Sequence, residues 1–157
     1  VVGSASIAGF LDALRMGGGW DLDLRLIARP FPQPLPGSVP DKAQWTALRA
    51  ELARIAGVVI FIGGTKIDAG KTVIAGGVLE EFEAALAAGS FLIPIGATGG
   101  AAAQIAATLR GSTHACSGPH AVRPTDEELT VLERPDITVE EIVALVSEIL
   151  SRVGKQG

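Results

Sequence analysis

A β-branched run closed by glycines, Gly57-Val58-Val59-Ile60-Phe61-Ile62-Gly63-Gly64, restricts the fold more than any other segment. An uninterrupted apolar strand offers no polar face to water. It therefore has to be covered on both sides, and in a parallel sheet helices do the covering. Thr65-Lys66 follows the run, and after a loop Gly76-Gly77-Val78-Leu79-Glu80-Glu81-Phe82-Glu83 begins a helix that stops near Gly89. The same order then recurs, with Phe91-Leu92-Ile93-Pro94-Ile95 as strand, Gly96-Ala97-Thr98-Gly99-Gly100 as glycine loop and Ala101 to Leu109 as helix. This alternation predicts an α/β fold: a Rossmann-like, doubly wound, mainly parallel sheet with helices on both faces. Small molecules bind such sheets beyond the carboxyl ends of the strands, where both glycine loops fall.

Elsewhere the elements are shorter. Val1 to Ser6 reads as the tail of a first strand turning through Gly3-Ser4-Ala5, and Ile7 to Leu14 as a short helix before Gly17-Gly18-Gly19. Asp21 to Ala28 alternates charge with Leu and Ile, the pattern of a half-exposed edge strand. The proline-rich segment from Arg29 to Gly37 is extended, since each proline fixes φ and removes a donor. Asp41 is a good N-cap for a helix carrying Trp45, Leu48, Leu52 and Ile55 as its apolar stripe, with Arg49 off the stripe's centre and Gly57 as the stop. The stretch from Gly63 to Gly76 reads as a loop, longer than the roughly two to six residues usual after a strand in such folds. Long loops at that edge commonly serve a ligand. Asp126 to Leu132 suits a helical turn. Thr138 and Glu141 form a capping box for a last helix whose apolar face is Ile142, Leu145, Val146, Ile149, Leu150 and Val153.

Composition removes several classes of function. The 157 residues suit one domain over 1–157, and a formal charge of −4 with scattered basic residues gives no footprint for nucleic acid. No apolar run approaches the roughly 18 to 20 residues that cross a bilayer, so no membrane partner is expected. The single cysteine, Cys116, permits no intrachain disulfide and favours a reducing, cytoplasmic setting. The chain opens at Val1 inside what reads as a strand, so it is expected to be a piece of a longer protein.

Three groups of residues invite chemistry. Gly70-Lys71-Thr72 resembles the end of a triphosphate-binding loop, but the glycine required five positions earlier is Thr65 and no helix starts at Lys71. His114, Cys116 and His120 lie within seven residues of one another, yet a closed zinc site wants four ligands and no second pair exists. No metal is expected there. Arg49, Lys66 and Glu81 form the strongest constellation, because all three map to one edge of the sheet. Arginine offers a planar fork to phosphate oxygens, lysine a point charge, and glutamate an acceptor for ribose hydroxyls or an exocyclic amine. Together they suit a nucleotide.

The Gly3-Ser4-Ala5 turn, Arg29-Pro30-Phe31-Pro32, Val58 to Gly64 with Lys66, Gly77 to Glu83 and Ile93 to Gly99 resemble the SLOG superfamily. The likeness is to its STALD type, the sensor domains attached to Sir2 or TIR effector domains in Thoeris antiphage defence. The resemblance implies that this region binds a cyclic ADP-ribose isomer or a related ADP-ribose-derived nucleotide, and that Arg49, Lys66 and Glu81 contact it. Gly3, Ser4, Gly63, Gly64, Gly77, Thr98 and Gly99 would add backbone or hydroxyl contacts. It further implies an amino-terminal effector domain that degrades NAD, a homodimer or higher homo-oligomer, and no cofactor or catalytic residue in this region itself. Between Ser6 and Arg29 the chain is shorter than the family pattern, which normally holds a full helix, a second strand and a glycine-rich loop. The alternative is a LOG-like nucleoside 5′-monophosphate phosphoribohydrolase. Its Pro-Gly-Gly-x-Gly-Thr-x-x-Glu motif is partly echoed by Gly77-Val78-Leu79-Glu80-Glu81, with Val78 replacing the threonine.

Overall fold

The computed structural model describes residues 2–18, 26, 29, 32, 39, 41–118 and 120–154, and falls into two units, Val1–Pro40 and Asp41–Gly157. In the first unit α1 spans Val2–Gly17, where the sequence predicts a strand tail, a turn and only then a helix. The difference has a local cause. No proline interrupts Val2 to Met16, and a helix nucleated by the Ile7–Leu14 stretch extends by one hydrogen bond for each residue added. Gly3 and Ser4 consequently lie in the first turn of a helix, and Gly18, with φ of 69°, ends it. The edge strand expected over Asp21–Ala28 and the extended segment after Arg29 fall almost wholly outside the described residues.

The second unit runs α2 (Lys42–Ile55), β1 (Val58–Ile62), β2 (Thr65–Asp68), β3 (Lys71–Ile74), α3 (Gly76–Ala87), β4 (Phe91–Ile95), a 3₁₀ turn over Gly96–Thr98, α4 (Gly100–Arg110), α5 (Asp126–Leu132) and α6 (Val139–Val153). The fold is mixed α/β. β1 and β4 pair in parallel from Val58 opposite Phe91 to Ile62 opposite Ile95, so the two strands end level. Pleat alternation then sorts their side chains onto two faces. Leu92 and Phe61 join Ala53, Phe82, Ala85, Ala101, Ile105 and Leu109 from α2, α3 and α4 in one core. Phe91, Ile93 and Ile95 meet Leu132 and Ile149 from α5 and α6 in another. Helices thus cover both faces of the parallel pair.

Burial differs between the two strands. Every residue of β4 is buried, whereas β1 buries Phe61 and leaves Ile60 and Ile62 each 42% exposed. The β-branched run was expected to be covered on both sides, and it is β4 that meets that description. Phe61 meets the ring of Phe82 edge-on at 6.1 Å between centroids, which holds α3 against β1.

Caps define the helices. The Asp41 carboxylate accepts from the N–H groups of Ala43 and Gln44, and capping boxes pair Thr125 with Glu128 and Thr138 with Glu141. Arg152 on α6 grips Glu128 on α5 through two bonds of 2.6 and 2.9 Å. The stretch read as a long loop is instead a hairpin, with β2 and β3 antiparallel and Thr65 opposite Ile74. Ala69 and Gly70, at φ of 48° and 77°, make its two-residue turn, the left-handed geometry that matches strand twist. Gly70-Lys71-Thr72 is therefore a hairpin turn and strand start.

Core and hairpin should answer differently to truncation. Leu92→Ala, at a position with no exposed surface, is expected to lower the unfolding free energy by about 2–5 kcal/mol. Ile67→Ala, at a residue 72% exposed on the hairpin, should change it by no more than about 0.5 kcal/mol. Urea unfolding of the two variants compares them directly.

Candidate functional site

The level ends of β1 and β4 are tied by one hydroxyl. Thr98 Oγ1 accepts the Gly63 N–H at 2.7 Å and donates to the Ile95 carbonyl at 2.6 Å. The glycine pair after β1 is occupied too: the Gly63 carbonyl accepts from Ala102, and the Gly64 carbonyl from both Ala75 and Ala101. Gly64 has φ of 96°, and a β-carbon there would lie 2.7 Å from that of Ala101, so only glycine fits. Gly99 donates its N–H to the Gly96 carbonyl. Gly63, Gly64, Thr98 and Gly99 thus dock the start of α4 onto the strand ends, and both carbonyls of the glycine pair, the Gly63 N–H and the Thr98 hydroxyl already have partners inside the fold.

A cleft of about 390 Å³ opens on the other side of that edge, between α2, β2 and the start of α3. Its volume lies within the range of roughly 300 to 1,000 Å³ typical of small-molecule sites. Lys42, Trp45, Thr46 and Arg49 line it from α2, Lys66 from β2, and Gly76, Gly77 and Glu80 from α3. Spacings of three, four and seven residues put the four α2 side chains on one face of that helix. Among the described residues, three cations face one carboxylate. The first turn of α3 carries no acidic residue and Ala75 provides no capping side chain, so the positive end of the helix dipole adds to the field.

Arg49 organises the site. Its side chain is only 9% exposed and is held at 2.7 Å from Nη1 to Glu80 Oε2, with Glu81 Oε1 at 3.8 Å from Nε. Gly77 packs on the same guanidinium, and a β-carbon there would stand 2.9 Å from Nη2. Glu80 is 62% exposed and lines the cleft, while Glu81 contacts the guanidinium from beyond the lining. Burial pushes the Glu81 carboxyl above its ordinary value of 4.5, the Arg49 charge opposing this and the adjacent Glu80 charge adding to it.

Of the ten residues singled out from the sequence, Arg49, Lys66 and Gly77 share this cleft, and Glu81 meets Arg49 at its back. Gly63, Gly64, Thr98 and Gly99 do not line it, and Gly3 and Ser4 belong to α1 in the first unit. Arg49, read as lying off the apolar stripe, is buried together with Ala53, whereas Ile55, read as part of that stripe, is 58% exposed. The sequence reading did not count Lys42, Trp45 or Thr46 among the ligand residues, and of the adjacent Glu80 and Glu81 it chose Glu81. The signal for the first three was the face they share with Arg49.

The raised Glu81 value makes stability depend on pH. A carboxyl whose folded pKa exceeds its unfolded one stabilises fully below the unfolded value, and that contribution is lost as pH rises through the folded value. Glu81→Gln removes this titration. The unfolding free energy of the parent minus that of the variant should therefore be most positive near about pH 4 and fall to a plateau by about pH 7, measured by urea unfolding across that range.

The sequence matches the Sir2- and TIR-associating SLOG family, STALD, over residues 1–153. It is 43% identical over 98 residues to the NAD(+) hydrolase ThsA of Bacillus cereus (strain MSX-D12) and 41% identical over 98 residues to that of Cytobacillus dafuensis, in each case across 62% of this chain. It is 30% identical over 100 residues, 64% of the chain, to the NAD(+) hydrolase ThsA of Enterococcus faecium. The match spans 20% of the length of each of these three relatives. With nearly its whole length inside the family's pattern, the chain belongs to the Sir2- and TIR-associating SLOG (STALD) family.

Proposed function

We propose that this region is a nucleotide sensor: the cleft between α2, β2 and α3 binds a cyclic ADP-ribose isomer or a related ADP-ribose-derived nucleotide. Occupancy would control an NAD-degrading effector domain of the same protein in antiphage defence. The observation that carries this reading is the convergence of Lys42, Arg49 and Lys66 with Glu80 in one cleft at the start of α3. The cations would take the pyrophosphate, with Glu81 holding the Arg49 guanidinium from behind. Membership of a family described by its association with Sir2 and TIR supports the link to an effector, as do relatives named NAD(+) hydrolase that are about five times as long as the matched region. Control requires only that the ligand bind one arrangement of a cytoplasmic homo-oligomer more tightly than another. On this reading the region itself catalyses nothing.

Ligand at a hundred times its dissociation constant should stabilise the protein by about 2.7 kcal/mol. A thermal melting series with ADP-ribose, its cyclic isomers, AMP and NAD tests this, and Arg49→Gln or Lys66→Gln should abolish the shift. No shift with any of the compounds refutes the reading.

One observation favours a second reading, phosphoribohydrolase activity. A half-buried carboxyl with a raised pKa, as in Glu81, is suited to proton transfer during departure of a base. Chromatography of a nucleoside 5′-monophosphate incubated with the protein separates the two: the sensor leaves it intact, whereas free base that disappears in Glu81→Gln marks an enzyme.

A further inference from the structure

Two arginines are buried among the described residues, and they are held in different ways. Arg123 donates from Nε to the His114 carbonyl and from Nη1 to the Pro124 carbonyl and to Asp126. Backbone carbonyls cannot be exchanged without moving the chain, so this guanidinium is a fixed structural pin. The partners of Arg49 include two carboxylates at the ends of side chains, Glu80 and Glu81. Glu80, the closer of the two, is 62% exposed and has solvent to swing into.

We propose that Glu80 is an internal competitor for the anion seat on Arg49. A phosphate or diphosphate reaching the guanidinium from the cleft binds by exchanging with the Glu80 carboxylate, while Glu81 remains at the Nε edge. This rests on the ligand-binding reading of the cleft given above. The exchange is chemically even, because a carboxylate and a phosphate each present two oxygens to a guanidinium fork. It also never leaves a buried charge bare, the costly alternative to any pair of this kind.

Selectivity follows from that balance. A lone phosphate replaces one anion with another and gains little. A diphosphate that also reaches Lys66 or Lys42, both in the same lining, adds contacts that Glu80 does not supply. Glu80 would thus bias the cleft against single phosphates and toward diphosphate-bearing nucleotides. The apparent affinity is lowered by the fraction of time that Glu80 holds the seat.

Calorimetric titration of inorganic pyrophosphate into the intact protein tests the idea. Glu80→Gln keeps the shape and removes the charge, and should bind pyrophosphate roughly tenfold more tightly than the parent. Glu80→Ala should do likewise, so the result does not hinge on one variant folding. Adding Arg49→Gln to either should erase the gain. Equal affinities in parent and variants, no binding in any of them, or a gain that survives Arg49→Gln would overturn the proposal. Cyclic ADP-ribose isomers titrated into the same proteins keep the two readings apart. Tighter pyrophosphate binding with no isomer bound would uphold the competitor and refute the sensor. Isomer binding with no effect of Glu80→Gln on pyrophosphate would do the reverse.

Discussion

A guanidinium out of water needs anions beside it, and Arg49 meets that need across two helices. Its charge, seated on α2 and largely shielded from solvent, is answered by Glu80 and Glu81 on α3. Removing the carboxylates would leave a poorly solvated guanidinium, so the contact constrains how the two helices approach. Gly77 belongs to the same constraint. A β-carbon at that position would stand 2.9 Å from the Nη2 atom, and the guanidinium would have to shift from where it lies. The cleft is what remains between these elements once the contact is made, with the hairpin bringing Lys66 to its rim.

The strand ends are filled by the fold's own contacts, and the cationic cleft is lined by other elements. In a doubly wound sheet the loops after parallel strands are the usual meeting place for a phosphate and backbone N–H groups. Here the N–H groups of Ala101 and Ala102, at the start of α4, are taken by the carbonyls of Gly64 and Gly63. The Thr98 hydroxyl is spent on holding β1 to β4. The cationic face of α2, the exposed β2 and the start of α3, which has no side-chain cap, are left to line the cleft.

The parts of this layout that depend on neighbours in sequence were legible before any coordinates. Asp41 and Thr138 with Glu141 cap helices by reaching residues two or three positions away, and such reach is a property of local spacing. The alternation that places Phe91, Ile93 and Ile95 opposite Leu92 follows from the pleat. The hairpin was missed because its turn is Ala69-Gly70, and alanine rarely adopts φ above zero, so no Asn-Gly or Asp-Gly signal marked it. At the amino end a glycine and two serines read as a turn, yet they are carried within α1. Trp45 looked like core because aromatic residues at helical spacing usually are, although the face it shares with Lys42, Thr46 and Arg49 lines a cleft.

By itself the sequence determined the class of fold, the succession of β1, α3, β4 and α4, the last helix, and which residue types were available to meet an anion, because each of these rests on periodicity, capping and charge within short windows. Only the tertiary structure decided that Glu80 rather than Glu81 faces the cleft, that the glycines after β1 serve α4, and that the Arg49 side chain is buried. Those outcomes depend on contacts between elements more than thirty residues apart, such as the pairing of Arg49 with Glu80 across a separation of 31. A helix register fixes which residues share a face, but the partner that this face meets is chosen only when the chain has packed.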